Sequence, residues 1–142
     1  MKNTFGAERF ADVLLLTGRI LLVVLFVIFG WEKLVGFNGT VGYFSAEGVP
    51  LPFVATIVAI IAEFFVGLAI ALGFLTRPLA LLLAIYTLGT AILGHPFWHM
   101  SDGARLVNEI NFFKNVSIIG GCLLLYVAGP GRYALDQVVD LI

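Results

Sequence analysis

Residues 52–74, PFVATIVAIIAEFFVGLAIALGF, constrain this chain more than any other stretch. They form an apolar run of about twenty residues, the length an α-helix needs to cross a hydrocarbon core. One carboxylate, Glu63, stands near the middle. A charged side chain at that depth costs roughly 2.5–3.5 kcal/mol on insertion scales. Ala59, Glu63, Gly67 and Ala71 recur at every fourth position, so they share a helix face. Small residues at this spacing let a second helix approach closely. Glu63 is therefore expected to face a helix–helix seam rather than lipid, and the rest of the chain is read for what stands opposite it.

Three further runs have the same character. The spans expected from the apolar pattern are 12–34, 52–75, 78–94 and 108–128. They are joined by a glycine-rich connection at 35–51, a tight Thr76-Arg77-Pro78 turn and a second wide connection at 95–107. With 61% hydrophobic and 12% charged residues, the composition is far from that of a soluble domain, which is nearer half apolar and a quarter charged. The fold class that follows is all-α: a polytopic membrane protein, an antiparallel four-transmembrane-helix bundle with one domain over residues 1–142. The first run is too long for a signal-peptide core and lacks a small-x-small cleavage site, so it reads as a retained helix. A short amphipathic helix within 40–47 and amphipathic turns of the tail on the membrane surface are further expectations.

Net charge is -1 and no basic run occurs, which removes nucleic acid as a partner and leaves the lipid bilayer. The single cysteine, Cys122, excludes an internal disulfide and a Cys-x-x-Cys pair. No phosphate-binding loop or nucleophile triad is present. Lys2, Arg9, Arg77 and Arg132 fall on the side of the termini, against Lys33 and Arg105 on the wide-loop side. Four against two places the N- and C-termini in the cytoplasm.

The ionisable residues inside the spans are the candidate site. At ~1.5 Å per residue, depth from the wide-loop side is about 9 Å for Lys114, about 16 Å for Glu63 and about 21 Å for Arg19. Opposite charges hold a carboxylate ionised mainly within ~4–6 Å. Glu63 is thus expected to contact Arg19 or Lys114, directly or through one water, in a cavity bounded by the first, second and fourth spans. Lys33 shares the face of Arg19 and can snorkel to the interface. Asn111 and Asn115 flank Lys114 and can hydrogen-bond across helices. The third span carries no charge and reads as a packing and lipid-facing helix. His95 and His99 are four apart, but Pro96 interrupts helical geometry and no third ligand stands at metal spacing, so they read as interfacial groups or as a roof over the cavity. Small-residue positions such as Gly89 and Leu93 leave room for a partner, and a homodimer is one expectation.

Several motifs then carry a resemblance: GWEKL at 30–34, AEFFVGLAIALGFLTRP at 62–78, HPFW at 95–98, FFKN at 112–115, IIGG at 118–121 and GPGRYALD at 129–136. In this order, from Arg19 to Asp136, the chain resembles the DoxX family of small four-helix bacterial inner-membrane proteins. The resemblance implies a location in the bacterial inner membrane. It also implies association with redox systems, since members are linked to a thiosulfate:quinone oxidoreductase and to a detoxifying oxidoreductase complex. An oxidoreductase partner subunit and a quinone ligand are the corresponding expectations. The chain shows no flavin, haem or disulfide motif of its own, and whether it is an enzyme stays open. The favoured reading is a cavity of Arg19, Lys33, Glu63, His95, His99, Asn111, Lys114 and Asn115 that binds a quinone or similar small amphipathic molecule. Proton-coupled permeation of a small solute and a ligand-free membrane scaffold are the alternatives.

Overall fold

The computed structural model of the chain describes residues 6–139. Lys2, counted above on the N-terminal side, and the last three residues of the tail lie outside that range. The helices are α1 (Ala7–Val35), α2 (Phe37–Ala46), α3 (Pro52–Leu72), α4 (Thr76–Gly94) and α5 (Asp102–Ala128), with 3-10 turns at Phe97–His99 and Leu135–Gln137. Among the described residues there is no strand. The helices α1, α3, α4 and α5 are each long and apolar enough to cross a membrane. The chain is an all-α polytopic membrane protein, as its apolar runs require.

Helix ends differ from the expected spans where polar residues carry the helix out of the apolar zone. α1 starts at Ala7 rather than 12, and α5 at Asp102 rather than 108. Hydropathy marks only the part of a helix that sits in hydrocarbon; the ends that reach water need no apolar residues. The glycine-rich connection also holds a longer helix than expected. Gly39 and Gly42 are weak helix formers, yet α2 forms because it lies against α3, with the rings of Phe37 and Phe53 edge to face at 5.3 Å.

α1 packs on α3, α3 on α4, and α4 most extensively on its antiparallel neighbour α5. α1 and α5 meet only loosely, leaving an apolar cleft of about 220 Å³ walled by Leu14, Leu22 and Leu124. The core is shared by all four spans: Val23 and Phe26 from α1, Val66 and Ile70 from α3, Leu83 and Ala84 from α4, Cys122 and Leu125 from α5. Leu21, Ile85, Leu88 and Val127 face outward to lipid, where an apolar surface is matched to its solvent.

α3 is not a continuous α-helix. Its centre, Ile61–Phe65, is a π-helical turn in which the Val66 N–H donates to the carbonyl of Ile61, five residues back. Glu63 sits in the middle of this turn. Gly30 of α1 lies directly against it: a Cβ added at Gly30 would overlap the Phe64 nitrogen and stand 2.9 Å from both the carbonyl carbon and Cβ of Glu63. Gly67 accommodates Phe26 and Val27 of α1 in the same way. The small-residue stripe is the α1–α3 seam.

The expectation that the tail lies on the membrane surface is corrected. Ala134 and Asp136 are buried, and the tail folds into the end of the bundle that carries the tight turn. Gly73 (φ 74) and Leu75 (φ 46) both adopt left-handed backbone to reverse the chain between α3 and α4. The Asp136 carboxylate accepts from the Leu75 N–H at 2.6 Å and the Thr76 N–H at 3.0 Å, while the Asp136 N–H donates to Gly73 O at 2.9 Å. An acidic side chain on the first N–H groups of α4 satisfies donors that no helical carbonyl reaches and opposes the helix dipole. Arg77 in turn donates to the Tyr126 and Val127 carbonyls at the C-terminus of α5.

Candidate functional site

Glu63 is 9% exposed and has two partners. Lys33 Nζ lies 2.7 Å from Oε2, and the Tyr86 hydroxyl donates to Oε1 at 2.6 Å. Three elements deliver these groups. The π turn of α3 presents the carboxylate. Gly30 brings α1 against the backbone of that turn, and Lys33, three residues on along the same face, folds over the carboxylate. α4 contributes Tyr86, beside the buried Thr87 and the half-buried Thr90. Charge-assisted hydrogen bonds of this length are the strong class, and here both oxygens of one carboxylate are engaged.

The pair sits in a cavity of about 430 Å³ in the half of the bundle nearer the wide loops, with a lining that runs from Glu63 and Tyr86 to Val49 and His95. Lys33, Glu63, Tyr86 and Thr90 form its polar part; Val58, Ala59 and Leu93 are apolar wall; Tyr43, Phe44 and Val49 close it from α2 and the connection after it; His95 stands at its rim. A neighbouring hollow of about 330 Å³ between α1 and α2 shares Lys33, Tyr43 and Phe44 with it. Gly89 and Leu93, the small-residue positions expected to leave room for a partner, also line the cavity.

The expected pairing of Glu63 with Arg19 or Lys114 is corrected. Arg19 is 2% exposed, but its guanidinium lies at the tight-turn end, where it donates to the carbonyls of Ala71 (3.2 Å), Tyr133 (2.7 Å) and Pro130. It ties α1 to the end of α3 and to the tail, and belongs to the fold rather than to the cavity. Lys114 is exposed on α5 and donates to Asn111 one turn back at 3.0 Å. The cavity is bounded by α1, α2, α3 and α4, not by the fourth span.

The reason is register. Equal depths assume that helices start in one plane. Gly30 and Glu63 are level, yet Gly30 is five residues from the end of α1 at Val35 and Glu63 is eleven from the start of α3 at Pro52. α3 therefore projects past α1 by roughly 9 Å at 1.5 Å per residue. That offset lowers Lys33 to the carboxylate and takes Arg19 out of reach.

Of the remaining expected residues, Asn115 Nδ2 donates to Thr90 Oγ1 at 3.3 Å, one step behind the cavity wall. Asn111 serves Lys114. His99 is exposed, its ring 6.0 Å from that of Trp98, in an aromatic group with Phe97, Phe112 and Phe113. His95 lines the cavity, and its Nδ1 meets Asn108 Oδ1 at 2.9 Å. Tyr86 is absent from the expected site, because α4 carries no charge to mark it. The signal was there: a tyrosine mid-span needs a hydrogen-bond partner when buried, and Thr87 and Thr90 mark the same side of the helix.

These features define a class: a polytopic α-helical membrane protein whose spans enclose a half-open cavity floored by a paired carboxylate. Within that class the chain belongs to the DoxX family, whose model matches residues 14–96. It is 51% identical over 133 residues to the inner membrane protein YphA of Escherichia coli, covering 94% of each chain. It is 45% identical over 136 residues to the inner membrane protein YqjF of the same organism, covering 94% of this chain and 97% of the relative. A more distant similarity, 26% identity over 144 residues, links 96% of the chain to 39% of the ER-derived vesicles protein ERV29 of Saccharomyces cerevisiae. No solved structure matches the chain.

Proposed function

We propose that this DoxX protein resides in the bacterial inner membrane, like the relatives named for it, and that its cavity binds a small amphipathic molecule with an oxygen-bearing head group, a quinone being the type. One observation carries the reading: a buried carboxylate, clasped by Lys33 and Tyr86, at the floor of an apolar-walled cavity of about 430 Å³. That volume falls within the ~300–1,000 Å³ usual for small-molecule sites, which pair apolar walls with a few placed polar groups. Intramembrane ionisable residues are costly and mark function by default. After the bond to Glu63 and a long one to the Phe29 carbonyl at 3.5 Å, Lys33 keeps a spare N–H for a ligand oxygen.

Val66, Ile70 and Leu83 fill the bundle toward the other membrane face, which favours a binding site over a path for permeation. The membrane association with an oxidoreductase subunit that the family resemblance implies is part of the same reading. The test is a mass spectrum of lipids extracted from protein purified in mild detergent, with a short-chain quinone titrated into the same sample. A co-purified or bound quinone that is depleted at least several-fold in Tyr86→Phe and Glu63→Gln supports the proposal. Wild-type protein that carries no quinone and binds none refutes it.

A further inference from the structure

His95 adds a second polar contact to this cavity, and its neighbour decides which chemistry that contact has. The Asn108 amide is oriented by α5 itself: Nδ2 donates to the Ala104 carbonyl at 2.9 Å. A carbonyl can only accept, so the amide nitrogen must face Ala104 and Oδ1 must face the histidine. Oδ1 can also only accept. The 2.9 Å contact between His95 Nδ1 and Asn108 Oδ1 therefore needs the proton on Nδ1. In the neutral ring Nε2 is then a bare acceptor. Among the described residues Nε2 makes no hydrogen bond, so it is free to serve a ligand in the cavity that His95 lines.

We infer that the cavity selects a head group with an oxygen acceptor at one end and a hydroxyl donor at the other, a hydroquinone rather than the matching quinone, with His95 Nε2 accepting from the hydroxyl at the rim and Lys33 donating at the floor. This rests on the reading of the cavity as a small-molecule site and adds the redox form it prefers. The oxidised head has acceptors at both ends, so it satisfies Lys33 and leaves a carbonyl oxygen facing the lone pair of His95. The reduced head satisfies both. Asn108 is the positioning residue: it never meets the ligand but holds the histidine in the accepting tautomer.

The experiment has two parts. Nitrogen-15 spectra of the histidine side chains in the full-length protein, in alkaline buffer at about pH 8 where a free imidazole is neutral, are expected to show His95 protonated at Nδ1 and bare at Nε2. The opposite tautomer overturns the inference without any variant being made. Anaerobic calorimetric titrations with a short-chain hydroquinone and its quinone are expected to favour the hydroquinone by about tenfold, the size of one net hydrogen bond. The ratio should fall toward one in His95→Phe and in Asn108→Leu, while Tyr86→Phe weakens both forms alike. Equal binding of the two forms, or a ratio that survives His95→Phe, overturns the inference and leaves the cavity reading standing. Binding of neither form to wild type overturns both.

Discussion

The Glu63 carboxylate is costly to bury and is held by two donors from two other helices, so removing one donor should cost more than removing the whole group. Breaking a buried pair from one side typically costs roughly 3–5 kcal/mol, because the other charge is left without a partner. Lys33→Met is expected to destabilise the bundle by about 3 kcal/mol, and Lys33→Met with Glu63→Gln to recover most of that loss. Unfolding in mixed detergent measures both; simple additivity of the two single variants would show that the groups are uncoupled. Glu63→Ala should harm yield more than Glu63→Gln, which keeps shape and hydrogen bonding. If both variants match wild type in yield and ligand content, neither a structural nor a binding role for the carboxylate stands. Gly30 is the matching test of geometry. Its added methyl group would meet backbone, which cannot rotate away, so Gly30→Ala is expected to cost about 2–3 kcal/mol as overpacking. Gly120, with nothing within 4 Å of an added Cβ, should tolerate the same change.

Among the elements, the π turn of α3 and the folded-back tail do the most to place the site. A π turn inside an α-helix shifts the residues that follow it around the axis and is frequent at functional sites. Here it coincides with Glu63, and α1 crosses at the same level. At the other end, Asp136 and Arg19 fasten the tail to the tight turn, which holds α3 and α4 in the register that lets Tyr86 reach Glu63. Asp136→Ala removes both acceptors on the first N–H groups of α4 and is expected to cost about 1–2 kcal/mol, the range of a lost N-cap. Asp136→Asn should cost less, since it keeps one acceptor oxygen. Thermal unfolding of the two variants decides this, and equal losses would mean that the tail contributes only through its packing.

For the whole molecule, orientation sets which membrane face the cavity lies nearer. With four basic residues on the side of the termini against two on the wide-loop side, both termini are expected in the cytoplasm and the loop-side lining of the cavity, Val49 and His95, toward the opposite face. Reporter fusions at the C-terminus test this: activity that requires export would invert the assignment, and with it the side from which the rim at His95 is reached.

By itself the sequence determined the number of spans, the all-α bundle and the presence of a buried polar site at Glu63. Apolar run length and the cost of an intramembrane charge follow from residue types alone. The seam was legible as well, because small residues at every fourth position lie on one helix face whatever packs there. The partner of the carboxylate was not legible. It depends on how far α3 projects past α1, and that offset is set by where Gly30 allows backbone to touch backbone, a contact between residues thirty-three positions apart. Tyr86 was hidden for the same reason: a hydroxyl among apolar residues has no partner until α4 is packed on α3. The role of Arg19 was hidden as well, since a buried cation can be satisfied by carbonyls of a returning tail as fully as by a carboxylate, and only the path of that tail decides which.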